Sequence, residues 1–371
     1  MEYFSDPIIP NSITSNIQKD RVFDITDVKW PHPILRDLAF DGRNPEDPSW
    51  KYFDYDTPDE EKLQIGLAVA AEMAAEGAKM EHTCDVTEYQ VPGCVEEPET
   101  PVTVHYYRPK GMEGVADRVM FFPLGGGLFS AEHTLCWVDK ICEDLNCVAI
   151  VPKHRCIWEA KYPAALNDNH AAYQWMIDNA EELQLDPNRV VLVGISSGSH
   201  LALCLGFRLK RYGIVPRGIV AIEPQTDDRE QGGLADYIYD GAWDAYHQHD
   251  VMHQYLGKDF ASSRIGPEAV ANHATIEECI GYPPTFIHEP ELDPDRDASR
   301  EFYHKLLEAK TFAEFHGWGG TKHGSPNFAG EFMFKALGPE NEFSKRTNAI
   351  VRANICDCWD YDLSRPWVLD E

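Results

Sequence analysis

Ser196 stands in Gly194-Ile195-Ser196-Ser197-Gly198, directly after Val190-Val191-Leu192-Val193 and just before an apolar stretch from Leu201 to Leu209. A buried-strand pattern that passes through Gly-x-Ser-x-Gly into a helix describes a nucleophile elbow. There a serine sits on a strained turn with its hydroxyl projecting, and the flanking glycines relieve crowding. The competing reading of the same residues is a structural glycine turn under a helix N-terminus. A serine hydroxyl attacks only when an imidazole takes its proton and a carboxylate fixes that imidazole. In a hydrolase sheet the three follow in the chain order Ser, acid, His.

Both later members should sit just past sheet strands. Asp293 follows the strand expected at Pro284 to His288, in Glu291-Leu292-Asp293-Pro294-Asp295-Arg296-Asp297. Taken alone, the residues leave Asp293 in competition with Glu291, Asp295 and Asp297, any of which could be a solvated or helix-capping carboxylate. His323 lies in a glycine-flanked loop after the strand expected at Phe312 to Trp318, and its position sets it ahead of the other histidines, His316 on that strand among them. Acyl transfer also needs preorganised N–H donors for an oxyanion. Leu124-Gly125-Gly126-Gly127 follows the strand expected at Arg118 to Phe122, and the N–H of Ser197 is the usual further donor.

These groups need a scaffold, and the chain alternates accordingly. Strands are expected at Val102 to Tyr107, Arg118 to Phe122, Cys147 to Pro152, Arg189 to Gly194, Gly218 to Glu223, Pro284 to His288 and Phe312 to Trp318. Helices are expected at Glu132 to Leu145, Pro163 to Leu183, Leu201 to Tyr212, Ala298 to Ala309 and Phe328 to Leu337. Such βα alternation builds a mostly parallel sheet covered on both faces, with its site outside the carboxyl ends of the strands. Residues 1–80 read as an irregular arm followed by a helix from Glu60 to Met80. Residues 225–282, with Tyr237, Tyr239, Trp243, Tyr246 and Tyr255, read as a helical insertion roofing the site. Residues 81–337 form the catalytic domain in this reading, and 338–371 a tail packed on its surface.

Composition narrows the function. With 62 acidic against 33 basic residues, the formal charge of −29 disfavours nucleic acid and anionic membranes. No apolar run reaches a membrane-spanning length, and the first residues lack the basic-then-apolar order of a secretory signal, so a cytoplasmic enzyme is expected. Ten cysteines among 371 residues are too dilute for a disulfide scaffold. Cys356-x-Cys358 and the His247, His249 and His253 cluster have ligand-like spacing, but free thiols and a polar helix face explain them as well.

Taken together, these motifs resemble the hormone-sensitive-lipase-like branch of α/β-hydrolase esterases. The matching stretches are Leu124-Gly125-Gly126-Gly127, His154-Arg155 through Glu159 to Pro163-Ala164-Ala165-Leu166, the Ser196 elbow, Asp293-Pro294-Asp295-Arg296-Asp297 and His323-Gly324. The resemblance implies an α/β-hydrolase fold with a helical cap formed by the arm and the insertion. It implies Ser196 as nucleophile, Asp293 as orienting acid, His323 as general base, and oxyanion donors at Gly126, Gly127 and Ser197. Leu124 replaces the branch's loop histidine, Ile195 replaces the aspartate before its nucleophile, and Ser199-His200 stands where Gly-Asn is common. The branch also contains plant gibberellin receptors, which lack the catalytic histidine; His323 favours an enzyme. The expected activity is hydrolysis of a small or medium neutral ester, without metal, nucleotide or flavin. Lactones, amides and acetylated sugars use the same machinery, and a homodimer is a further expectation.

Overall fold

Every residue of Val190–Ile195 is buried, as expected of a strand that opens on four β-branched or leucine residues and is covered on both faces. The computed structural model describes residues 82–128, 135–229, 245–291, 293–321, 323–324 and 342–363, with Val22–Phe23, Ile238–Tyr239 and scattered helical positions between 60 and 75. In chain order the elements are β1 (Val22–Phe23), β2 (Cys84–Val91), β3 (Val102–Pro109), β4 (Val119–Phe121), α1 (Leu135–Leu145), β5 (Val148–Lys153), α2 (Ala164–Asp178), β6 (Val190–Ile195) and α3 (Ser197–Arg211). They continue with β7 (Gly218–Ile222), β8 (Ile238–Tyr239), α4 (Ala245–Leu256), α5 (Ile276–Cys279), β9 (Thr285–Pro290), α6 (Arg296–Glu308), β10 (Ala313–Trp318) and α7 (Glu342–Asp360).

Eight strands form one sheet in the order β10-β9-β7-β6-β4-β5-β3-β2. From β5 to β10 neighbours run parallel, while β3 pairs antiparallel with both β5 and β2. The fold is thus the expected α/β-hydrolase sheet. Its strand alternation divides the core between two faces. Val190, Leu192, Ile219, Ala221 and Ile287 pack with Met176 of α2, Leu203 of α3 and Phe302 of α6. Val191, Val193, Val220, Ile222 and Phe286 pack with Val138 of α1 and Val351, Ile355 and Trp359 of α7.

Four differences from the sequence reading have physical causes. β2 was not expected; it is an edge strand half of whose residues are polar and exposed, and its burial does not alternate cleanly. α3 starts at Ser197 rather than Leu201, because the turn from strand to helix is completed within Ser196. α2 stops at Asp178 rather than Leu183, where the Asn179 amide turns back to donate to the Trp175 carbonyl at 2.8 Å. The segment read as a tail contains the nineteen-residue α7, with Trp359 wholly buried and its Nε1 donating to the Arg189 carbonyl at 2.9 Å. The helix expected at Phe328 to Leu337 lies outside the described residues, as do Tyr237 and Trp243.

Within the insertion the described residues include the helices α4 and α5 and the short strand β8. Val251, Met252 and Tyr255 of α4 share an apolar cluster with Leu128 of the glycine loop and Leu201 of α3. β1 pairs parallel with β8, which joins the N-terminal arm to the insertion. No helix among the described residues is long and apolar enough to cross a membrane.

Candidate active site

Ser196 follows the last residue of β6 and has φ 56° and ψ −127°, a region that a residue with a side chain occupies at a cost. The turn is held from both sides. The Ser196 N–H donates to the Ile222 carbonyl of β7 at 2.8 Å. A Cβ at Gly194 would meet the Gly198 carbonyl at 2.4 Å, and one at Gly198 would meet the Pro123 carbonyl oxygen at 2.3 Å and the Gly125 nitrogen at 2.9 Å. Both elbow glycines are therefore required by close backbone approach, and Gly198 is what lets the glycine loop lie against the start of α3.

The side chains then meet in sequence. Ser196 Oγ lies 2.9 Å from His323 Nε2, and His323 Nδ1 lies 2.5 Å from Asp293 Oδ2. An ionised carboxylate only accepts, so Nδ1 carries a proton and donates it to Asp293. The Nε2 lone pair is left to accept the Ser196 hydroxyl proton. Asp293 is buried, and its other oxygen accepts from the Asp295 N–H at 3.1 Å.

The alternatives from the sequence go elsewhere. Asp295 Oδ1 accepts from the Thr226 N–H at 3.2 Å, Asp297 pairs with Arg296 at 2.8 Å, and Glu291 accepts from the Gly320 N–H at 2.7 Å. His316 pairs with Glu314 at 2.7 Å and stacks on His288 with centroids 4.6 Å apart.

On the other side of the elbow, Gly126 and Gly127 have φ of +121° and +61°, values that suit residues without a side chain. The Leu128 N–H donates to Ser197 Oγ at 3.1 Å, tying the loop to the first turn of α3. Gly126, Gly127 and Ser197 therefore lie in segments bound to each other beside Ser196. Leu124 and Ile195, the two departures from the family pattern, are both buried in the apolar cluster on the α1 and α7 face. Where the pattern has two polar residues, both are apolar here and both join the core.

One residue of the site escaped the sequence reading. Glu223, directly after β7, is buried, and both its carboxylate oxygens accept from the Gly324 N–H at 3.0 Å. Its Oε2 is 3.8 Å from His323 Nε2. Burial pushes this carboxyl up to about 7, with His323 and the Gly324 N–H opposing the shift and Asp293 adding to it. For His323, burial disfavours the charged ring, but Asp293, Glu223 and Asp295 outweigh it and push the ring up to about 9. Glu289, also buried, is pushed well above the carboxylate range by burial and then by Asp293 and Asp295.

The ligand-like clusters stand apart from this arrangement. His249 and His253 stack at 6.3 Å and both meet the edge of Phe260; the side chain of His247 lies outside the described residues. Cys358 is buried in α7 while Cys356 is half-buried, and both are free thiols. Among the described residues, two groups have donors close enough to share a metal, Cys94-Glu96-His170 and Asp227-Asp228-His273. In each a carboxylate is already engaged by arginine: Glu96 by Arg208 and Arg211 at 3.3 Å, Asp227 by Arg229 at 2.6 Å.

A family model described as alpha/beta hydrolase fold matches residues 123–327, from the glycine loop to just past His323. The chain belongs to this family. It is the family of the hormone-sensitive-lipase-like esterases, as the motifs implied. The carboxylic ester hydrolase LipN of Mycobacterium tuberculosis is 28% identical over 71% of this chain and 72% of its own length. The versiconal hemiacetal acetate esterase of Dothistroma septosporum is 26% identical over 72% and 81%. Among solved structures, a bacterial heroin esterase superposes with a TM-score of 0.69 at 25% identity, covering 80% of this chain and 91% of that one.

Proposed function

We propose that this chain is a carboxylic ester hydrolase that cleaves a small or medium neutral ester through an acyl-Ser196 intermediate. The observation that carries the reading is the unbroken path from Ser196 Oγ through His323 to the buried Asp293 carboxylate, at 2.9 and 2.5 Å. In the first step Oγ bonds to the ester carbonyl carbon while its proton passes to His323 Nε2 and the carbonyl π pair moves onto oxygen. Asp293 keeps the ring oriented and offsets the imidazolium charge.

The oxyanion would be met by the backbone N–H groups of Gly126, Gly127 and Ser197. Support for that assignment is the seating of the loop on Gly198 and its hydrogen bond to Ser197. Collapse of the tetrahedral species breaks the bond to the alcohol oxygen, which takes the Nε2 proton and leaves. Water then attacks the acyl group, giving one proton to Nε2 and releasing the acid as Ser196 recovers it. The steps balance on these groups alone, and no cofactor is expected.

The acidic surface field favours neutral over anionic substrates. An acetate ester in the name of one relative supports a short acyl group. The expected compartment is the cytoplasm and the expected assembly a homodimer, which sedimentation would measure. The test of the activity is hydrolysis of a p-nitrophenyl ester chain-length series by the wild type and by Ser196→Ala. Turnover of short chains that is lost in Ser196→Ala is the expected result; equal turnover by both would refute the reading.

A further inference from the structure

Glu223 is an expensive residue for its visible task. Burying a carboxylate this deeply carries a large desolvation penalty, whereas an amide of the same shape would accept the Gly324 N–H at far lower cost. Its backbone is also strained. Glu223 has φ 53°, a value uncommon for a non-glycine residue, and its N–H is fixed to the His288 carbonyl at 2.7 Å. The conformation turns the carboxylate toward the histidine loop. That loop is gripped by carboxylates at both ends: Glu291 holds the Gly320 N–H at 2.7 Å, and Glu223 holds the Gly324 N–H.

Position relative to the ring separates Glu223 from Asp293. Asp293 meets Nδ1, whereas Glu223 Oε2 stands 3.8 Å from Nε2, the nitrogen that faces Ser196. In the neutral ring, the form that can act as base, Nε2 accepts from Ser196 and has no proton to offer. Once the serine proton has moved, Nε2 carries N–H and positive charge, with the Glu223 carboxylate beside it. Among the described residues, the titratable groups facing the ring are Glu223 after β7 and Asp293 and Asp295 on the acid loop, with Glu289 of β9 behind them.

We propose that Glu223 is a second carboxylate for His323, a positioning residue that holds the histidine loop through Gly324 and steadies the imidazolium from its Nε2 side. The proposal rests on the esterase reading, in which His323 is the general base. It differs from a purely structural role in one respect, because only the charge of Glu223 acts on the ring. Glu223→Gln preserves shape and the acceptor for Gly324 while removing that charge.

In the folded Glu223→Gln protein the acid limb of kcat/KM should move to lower pH by about one unit or more, since an opposing charge so close favours the protonated ring. kcat should fall about tenfold with KM nearly unchanged, as for an interaction made mainly in the transition state. An acid limb that stays in place overturns the proposal, whatever happens to stability. A second measurement on the wild type needs neither the variant nor turnover: the low-field His323 Nδ1 proton followed by NMR against pH. Two ionisations sensed at that proton, that of the ring and that of Glu223, are expected from the coupled pair. Titration in a single step contradicts the coupling. Lack of ester hydrolysis by the wild type would count against the esterase reading, while the NMR titration would still decide the role of Glu223.

Discussion

At the scale of single residues, the site is one imidazole set among acceptors. Ser196→Ala should lower kcat by about 10³-fold or more while leaving the thermal transition unchanged, because the hydroxyl makes one hydrogen bond and no packing contact of size. The pH dependence follows from the carboxylates. The general base must be neutral, the neighbouring charges hold His323 protonated up to about 9, and so kcat/KM should climb as pH rises toward that value. A pH–rate profile already flat from pH 7 upward would contradict this electrostatic picture.

Ser196, His323 and the glycine loop were legible in the sequence because each lies in a short motif whose spacing is set by a turn. Asp293 was legible only with the family pattern beside it, since four carboxylates crowd that loop and only distances separate them. Glu223 was not legible at all. Its partner Gly324 lies 101 residues away, and nothing local distinguishes Ile222-Glu223-Pro224 from an ordinary strand end.

At the scale of elements, close approach decides what the chain tolerates. Gly198→Ala would drive a Cβ into the Pro123 carbonyl at 2.3 Å, so the glycine loop must shift. Activity should drop much further than stability, which parallel measurements of turnover and urea unfolding would reveal. Trp359→Ala would empty a wholly buried indole site on α7 and orphan the Arg189 carbonyl. The expected cost is about 3–5 kcal/mol by equilibrium unfolding, with kcat of the remaining folded protein unaffected.

The sheet strands were legible from apolar runs, and their boundaries fell within a residue or two. α7 carried a readable signal that the tail reading passed over: Val351, Ile355, Cys358 and Trp359 recur at helical spacing and are its buried apolar residues. β2 had no such signal. An edge strand needs burial on little of its surface, and its sequence shows no clean alternation.

At the scale of the molecule, 62 acidic residues against 33 basic ones leave a self-repelling surface. Raising salt to about 0.5 M should raise the melting temperature, because screening relieves that repulsion at distances beyond the shortened Debye length. Melting that is independent of salt would mean the charges are already locally paired. The fold class was legible at this scale from βα alternation alone, whereas the pairing of β1 with β8 was not, since it joins segments more than 200 residues apart. A long-range pairing of two short strands leaves no periodicity to read.

The central claim is that an acyl group passes through Ser196. The direct measurement is mass spectrometry of the protein after reaction with diethyl p-nitrophenyl phosphate, which phosphorylates an activated serine and releases p-nitrophenol. The account predicts one diethylphosphoryl group per chain, on the peptide containing Ser196, with ester hydrolysis lost in proportion and no label in His323→Ala. Full hydrolytic activity in a protein labelled elsewhere, or not labelled, would contradict it.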